Sequence, residues 1–323
     1  MIVNKVKTNF LAIYFYLFAC IFASEAFAGE QIKDGIKIVA SIKPLALLIQ
    51  EIATGEDSVD VLLERNQDHH TIQVNPSQRS KVAQANVVFY IDDDFEFFVK
   101  KIKASDDSKY KYIKMSDTQN LRLLSVRKSG ELPHLAHEYN PREHVHSSID
   151  LHFWLNPDNA IVMLRKIRDE LTKLKPENQV IYQERYEIFS QHLIKYSSEK
   201  AKMMMEVLNS PFFVLHDGFQ YFEEQYGLEA KGIILQDGQI MPSARHLNEL
   251  RKVRLDKNVN IILKEEQYSD RAIDGLAGNN AFKVINVDSL AQGSLGYVED
   301  YISYTDAITE IIFKGLEKNS TKK

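Results

Sequence analysis

Short β-branched or aromatic runs alternate with stretches of helical spacing along most of this chain. Residues 36–42 form the first run, and Pro44 then opens a helical stretch over 45–52, because proline is tolerated in a first helical turn. Residues 59–63 read as the next strand. Pro76 and Ser77 start a helix that reaches about residue 85, and 87–91 is an apolar run of a length that suits a buried strand. From 212 the alternation resumes, with strands at 212–215, 228–235, 259–264 and 282–287 between helices at 219–226 and 243–255 and a closing helix at 300–318. Order of this βαβα kind predicts an α/β fold of mainly parallel sheets flanked by helices.

The middle of the chain breaks that rhythm. Residues 127–149 are polar and histidine-rich, with Pro133 and Pro141 interrupting any regular element, which predicts a loop. Asn156, Pro157 and Asp158 then start a helix ending near residue 175. Beyond Pro176 no strong breaker occurs up to residue 208, and Ile181, Ile188, Phe189, Leu193 and Tyr196 recur at helical spacing. The expectation is one long helix within 176–209, joining an N-terminal lobe over 29–175 to a C-terminal lobe over 210–323.

Residues 1–28 change the picture of where the protein works. Lys5 and Lys7, an apolar stretch over 10–22 and a terminal Ala26-Phe27-Ala28 have the three-part layout of a secretory signal. The apolar stretch is shorter than the roughly 20 residues that a membrane span needs. Cys20, the only cysteine, fits a lipoprotein site poorly because Phe18 precedes it, so anchoring there is not expected. A mature chain of about 295 residues is ample for two compact lobes, and without cysteine it must be held by its core or a ligand. Its net charge of about −6 argues against nucleic acid as a partner, and no later stretch is apolar enough to span a membrane.

In open parallel sheets, ligands sit beyond the carboxyl ends of the strands, and the histidines fall there. His69 and His70 follow the strand at 59–63, His152 precedes the helix at 156, and His216 directly ends the run at 212–215. A lone histidine among apolar residues is usually a satisfied structural group; three at sheet ends call for a common cause. Neutral imidazoles are borderline-soft nitrogen donors, and three with an oxygen make a common tetrahedral zinc site.

Three motifs carry a resemblance. His70-Thr71-Ile72-Gln73-Val74-Asn75-Pro76-Ser77, Leu151-His152-Phe153-Trp154-Leu155-Asn156-Pro157 and Phe213-Val214-Leu215-His216-Asp217-Gly218-Phe219 resemble, in order and spacing, the metal-site motifs of the periplasmic metal-binding proteins of ABC importers. Within that family the chain is most similar to the zinc-uptake type, since a histidine-rich insertion precedes the second motif and His216 stands where manganese-type members usually carry glutamate. The resemblance implies two similar lobes joined by a long, rigid helix, with the metal in the cleft between them. It implies His70, His152 and His216 as ligands, with Asp288 or water ahead of His69 as the fourth. It also implies a periplasmic monomer that delivers Zn2+, in preference to Mn2+, to an inner-membrane permease and its ATPase.

His134, His137, His144 and His146, interleaved with Glu131, Glu138 and Glu143, read as a weaker metal-collecting loop, with a merely solvated loop as the other reading. His192 and His246 fall in helices and read as surface or packing residues. Asp92-Asp93-Asp94 reads as a solvated turn or helix cap, and Glu265-Glu266 as either a group supporting the cleft floor or surface. The competing functions are a zinc-dependent envelope hydrolase, a metal-binding adhesin lipoprotein and a manganese-binding member of the same family. Against the hydrolase, the sequence has no His-Glu-x-x-His, no Gly-x-Ser-x-Gly and no phosphate-cradling glycine loop, so no enzymatic activity is expected.

Overall fold

The computed structural model describes residues 35–64, 67, 72–104, 111–127, 149–235, 240–277, 282–293, 295 and 298–317. Residues 1–34, with the expected signal and Cys20, lie outside the described residues, as do His69, His70 and the four histidines of the insertion.

The first half is a parallel sheet of four strands in the order β2-β1-β3-β4: β1 (Lys37–Ala40), β2 (Ser58–Val61), β3 (Val87–Tyr90) and β4 (Tyr112–Lys114). Right-handed crossovers of parallel strands require intervening helices, supplied by α1 (Lys43–Ile52), α2 (Pro76–Gln84) and α3 (Phe97–Ala104). Helix α1 is buried on most of its surface, Pro44 to Ile49 included, so its residues are apolar almost all round. Helix α2 starts on a reciprocal capping box: the Asn75 side chain accepts from Gln78 N, and Gln78 Oε1 accepts from Asn75 N, both at 2.9 Å. Such a cap is worth about 1 kcal/mol, and it fixes the start of α2.

The second half repeats the plan with three parallel strands in the order β5-β6-β7, where β5 is Phe212–Val214, β6 is Ile261–Glu265 and β7 is Lys283–Val287. Helices α4 (Pro157–Leu174) and α5 (Gln179–Met204) join the halves, followed by α6 (Gln220–Tyr226), α7 (Ala244–Lys257), α8 (Arg271–Ala277) and α9 (Tyr301–Glu317). The architecture is α/β, with parallel sheets flanked by helices and a long helix between them. No helix among the described residues is long and apolar enough to cross a membrane.

Two expectations change in detail. The strand expected at 228–235 is not a regular strand, because its first half serves the end of α6. Gly227, at φ 69°, closes that helix; Leu228 N returns to Glu223 O at 2.9 Å, and Ala230 N donates to the Glu223 carboxylate at 2.9 Å. Only 231–235 runs beside β5, through Lys231 N to Phe212 O at 2.7 Å and Leu235 N to Leu215 O at 2.7 Å, with Val214 and Ile233 as a single bridge. The long helix is flanked by 3-10 turns at Pro176–Asn178 and Met205–Val207. Its buried face is Tyr182, Phe189, Leu193 and Tyr196, while Ile181 and Ile188 are about half exposed, at 46% and 49%. The apolar spacing therefore locates the helix without saying which of its apolar residues are buried.

One continuous apolar core runs from β1 and α1 through Trp154, α4 and α5 to β5, β6 and α9. The second, smaller cluster lies on the other face of the β5-β6-β7 sheet, and the third on the other face of the first sheet.

Candidate metal centre

His152 is held in place from both sides of the chain. After it comes a single 3-10 turn, Phe153–Leu155, and then Asn156, whose side chain caps α4 by accepting from Asp158 N at 2.8 Å and Asn159 N at 3.1 Å. Before it, the Asp150 Oδ1 accepts from His152 N at 2.9 Å and lies 2.8 Å from His152 Nδ1. Phe95 packs edge-on against the imidazole, with ring centroids 5.6 Å apart, and Trp154 covers it at 5.3 Å. Phe95 itself follows the turn anchored by the buried Glu96, whose carboxyl accepts from Ser41 Oγ and from the amides of Ile91 and Asp92.

His216 follows β5 directly. Leu215 N still donates to Leu263 O of the neighbouring strand at 2.9 Å, and Gly218 N closes a tight turn onto His216 O at 2.9 Å. The His216 Nδ1 lies 2.7 Å from Oε2 of Glu265, the last residue of β6. Glu265 Oε1 accepts from Ser289 Oγ at 2.8 Å, just beyond β7. A Cβ on Gly218 would stand 3.0 Å from both Glu265 oxygens, so this glycine allows the carboxylate to lie against the turn.

A carboxylate beside Nδ1 requires the proton on that nitrogen, which leaves the Nε2 lone pair facing outward in the neutral ring. The two imidazoles converge, with centroids 5.2 Å apart. His152 Nε2 is buried without a hydrogen-bond partner among the described residues, a costly condition that a cation would relieve. His152, His216 and Glu265 each offer a ligand atom within 4.8 Å of the others. Two nitrogens and a carboxylate suit zinc or another late divalent metal.

The field around the pair is negative. Burial alone would favour neutral His152; Asp150, with Glu265 and Asp217 behind it, outweighs burial and raises the His152 pKa above the ordinary 6.5. Burial pushes the Glu265 carboxyl up, while His216, then His152 and the Ser289 hydroxyl, hold it down at about 2. Asp217 and Glu223 are ion-paired with the buried Arg127, which donates to both carboxylate oxygens of Glu223 at 2.8 Å and through Nε to Asp217 at 3.0 Å. Arg127 thus pins the chain that enters the insertion to the residue after His216.

Of the residues expected from sequence, the structure brings His152 and His216 together. Asp288 is buried just past β7, but it is outside the mutually close group, and its oxygens accept from Gln292 N and Gly293 N at 2.8 Å each. His246 is a packing residue, with Nε2 2.8 Å from Ile233 O, and His192 is exposed on α5. Asp92 caps its own turn through Asp94 N at 2.8 Å and accepts from Ser116. Glu265, weighed as a group supporting the cleft floor or as surface, is buried and bonded to His216 and Ser289, which excludes the surface reading. Asp150, Ser289 and Arg127 were not singled out from sequence. The Asp-x-His spacing of Asp150 was visible there; the other two act across distances that no local pattern encodes.

The chain matches the family model "Zinc-uptake complex component A periplasmic" over residues 38–315. It is similar to the high-affinity zinc uptake system protein ZnuA of Yersinia pestis, at 24% identity over 84% of this chain and 88% of that protein. The ZnuA of Haemophilus influenzae is 23% identical over 90% of this chain and 97% of its own length. A crystal structure of ZnuA superposes with a TM-score of 0.73 and 25% identity, covering 88% of this chain and all of that one (100%). With the motifs, the fold and the paired imidazoles in agreement, the chain belongs to the periplasmic ZnuA family of zinc-uptake components.

Proposed function

We propose that this protein captures zinc with high affinity in the periplasm and delivers it to an ABC permease and its ATPase in the inner membrane, without catalysing a reaction. The observation that carries the reading is the convergence of His152 and His216 from the two halves of the fold, each held at Nδ1 by a carboxylate and aimed through Nε2. His70 is proposed as the third ligand. In support, Gln67, two residues before His69, accepts from Gln292 Nε2 at 2.7 Å, four residues past Asp288, so the described end of that segment is tied to the same corner. The fourth position falls to Asp288 or water, ahead of His69. Glu265, although within reach, is already engaged by His216 and Ser289 and acts as an orienting group.

In this reading the lobes are 29–175 and 210–323, the linking segment is 176–209, and the protein is a monomer exported by cleavage of residues 1–28. His134, His137, His144 and His146 collect zinc more weakly beside the main site. Zinc is favoured over manganese because imidazole nitrogens dominate the donor set. The test is competitive zinc titration of the mature chain against a chelator, beside His152→Ala and His216→Ala and a deletion of 131–147. One tight site is expected in the wild type and in the deletion variant and none in the histidine variants; tight binding that survives both histidine substitutions would overturn the reading.

A further inference from the structure

We propose that Ser289 is a positioning residue that fixes the two metal-facing imidazoles relative to one another, an inference that rests on the zinc-capture reading. Ser289 is buried to 1% exposure and uses two different groups. Its hydroxyl donates to Glu265 Oε1 at 2.8 Å, and the other oxygen of that carboxylate holds His216 Nδ1 at 2.7 Å. Its carbonyl accepts from Trp154 Nε1 at 3.3 Å and from the Tyr304 hydroxyl. Trp154 Nε1 is also 3.2 Å from that hydroxyl, and the Tyr301 hydroxyl donates to Trp154 O. Trp154 is two residues from His152 and covers its ring. The groups form a circuit: His216, Glu265, Ser289, Trp154, His152. The last link is ring contact between the two imidazoles.

Each member of the circuit removes a freedom that the site would otherwise have. A carboxylate with only one partner can rotate about its terminal torsion; with Ser289 on one oxygen and His216 on the other, Glu265 has one orientation, and the His216 ring inherits it. Trp154, fully buried and tied to the same serine through its indole N–H, has one orientation as well, and it forms the wall behind His152. The separation of the two Nε2 atoms is therefore set by a serine that touches neither. Buried polar groups linked in this way act as a unit, and fixed donor spacing favours an ion of one size and geometry. Ser289 lies beside Asp288, yet its role is independent of whether that aspartate ligates.

The test uses the mature full chain with Ser289→Ala, which removes only a hydroxyl, and Tyr304→Phe, which removes one donor to the Ser289 carbonyl. Zinc affinity is read by chelator competition, and cobalt(II) is used as a spectroscopic probe, because its visible absorption is strong when four-coordinate and weak when six-coordinate. Ser289→Ala is expected to lower zinc affinity by about 10-fold, as loss of a partner outside the ligand set does, and to weaken the cobalt band as the freed His216 ring lets water into the coordination sphere. Tyr304→Phe is expected to shift both in the same direction by less. A purely structural role would lower the melting temperature and leave the spectrum of the folded, cobalt-loaded protein unchanged; that result, in either variant, overturns the proposal. If Ser289→Ala does not yield folded protein, Tyr304→Phe decides. If His152→Ala binds zinc as tightly as the wild type, the zinc-capture reading itself sinks, whereas a loss in His152→Ala with Ser289→Ala and Tyr304→Phe unaltered sinks only the role of Ser289.

Discussion

The two halves of the metal centre reach the same chemistry by different routes. His152 takes its carboxylate from Asp150, two residues earlier, so one short stretch of chain carries both the imidazole and the group that orients it. His216 takes its carboxylate from Glu265, 49 residues away on the next strand, and needs β5 and β6 in register before the contact exists. The first arrangement is local and backed by aromatic rings of Phe95 and Trp154. The second is tertiary, with Tyr268 against the imidazole at 5.0 Å and Ser289 behind the carboxylate. A local pair survives modest disturbance of the fold; a tertiary pair reports on it.

The bluntest way to break the comparison is to remove either imidazole. His152→Ala and His216→Ala should each lose zinc affinity by more than the roughly 100-fold that separates the strongest loss of an orienting partner, measured by chelator competition, and the two should be alike. Removal of the orienting carboxylates should separate the halves. Glu265→Ala is expected near the 100-fold end of that range, because it frees His216 and abandons Ser289 together, and Asp150→Ala near the 10-fold end, because aromatic packing still holds His152. Equal losses would mean that local and tertiary positioning count the same.

Proton competition sharpens the comparison next. Against the opposing effect of burial the His152 pKa is raised, chiefly by Asp150, so the ring holds its proton more strongly than a free imidazole does. A raised basic group stabilises the fold fully below its unfolded pKa, and that contribution is lost as pH rises through the folded value. Zinc needs the neutral ring. Its affinity should therefore begin to fall with acidification at a pH above 6.5, and the melting gap between zinc-bound and zinc-free protein should widen as pH rises. Calorimetric titration across buffers of different ionisation enthalpy reads the released protons; uptake independent of buffer would contradict this. The smallest effect belongs to Gly218→Ala. Its new Cβ would crowd both Glu265 oxygens at 3.0 Å, and a few-fold loss of affinity is expected, smaller than for Glu265→Ala, with His152 unaffected in its chemical shifts.

The same division between local and tertiary explains what was legible in the sequence. The apolar runs at 36–42, 87–91 and 259–264 announced buried parallel strands, because such strands are apolar on both faces. Strand β4 was missed: Tyr112, Ile113 and Lys114 are three residues of intermediate burial at a sheet edge, too short and mixed to show a period. Helix α8, seven residues with a charged start, escaped for the same reason. Ile181 and Ile188 share the helical spacing yet are about half exposed, because spacing identifies a helix without saying which stripe meets a neighbour, and Tyr182 is buried instead. At the site, His152 and His216 were visible through their position after strands and their motifs. Asp150 was visible in principle, within the same motif. Glu265, Ser289 and Arg127 acquire meaning only from partners 24 to 96 residues away, and residue type alone does not report that.

The neck of the histidine-rich insertion carries a last consequence. Ser125 and Ile149 form an antiparallel bridge, Asp150 N donates to Leu124 O at 2.9 Å, and Tyr221 clasps both sides by accepting from Leu124 N and donating to Asp150 O, each at 2.8 Å. Arg127 bolts the outgoing side to the other half of the molecule. The two chain ends are thereby clamped to each other and to the turn that carries His216, so Asp150 meets its imidazole within a braced frame.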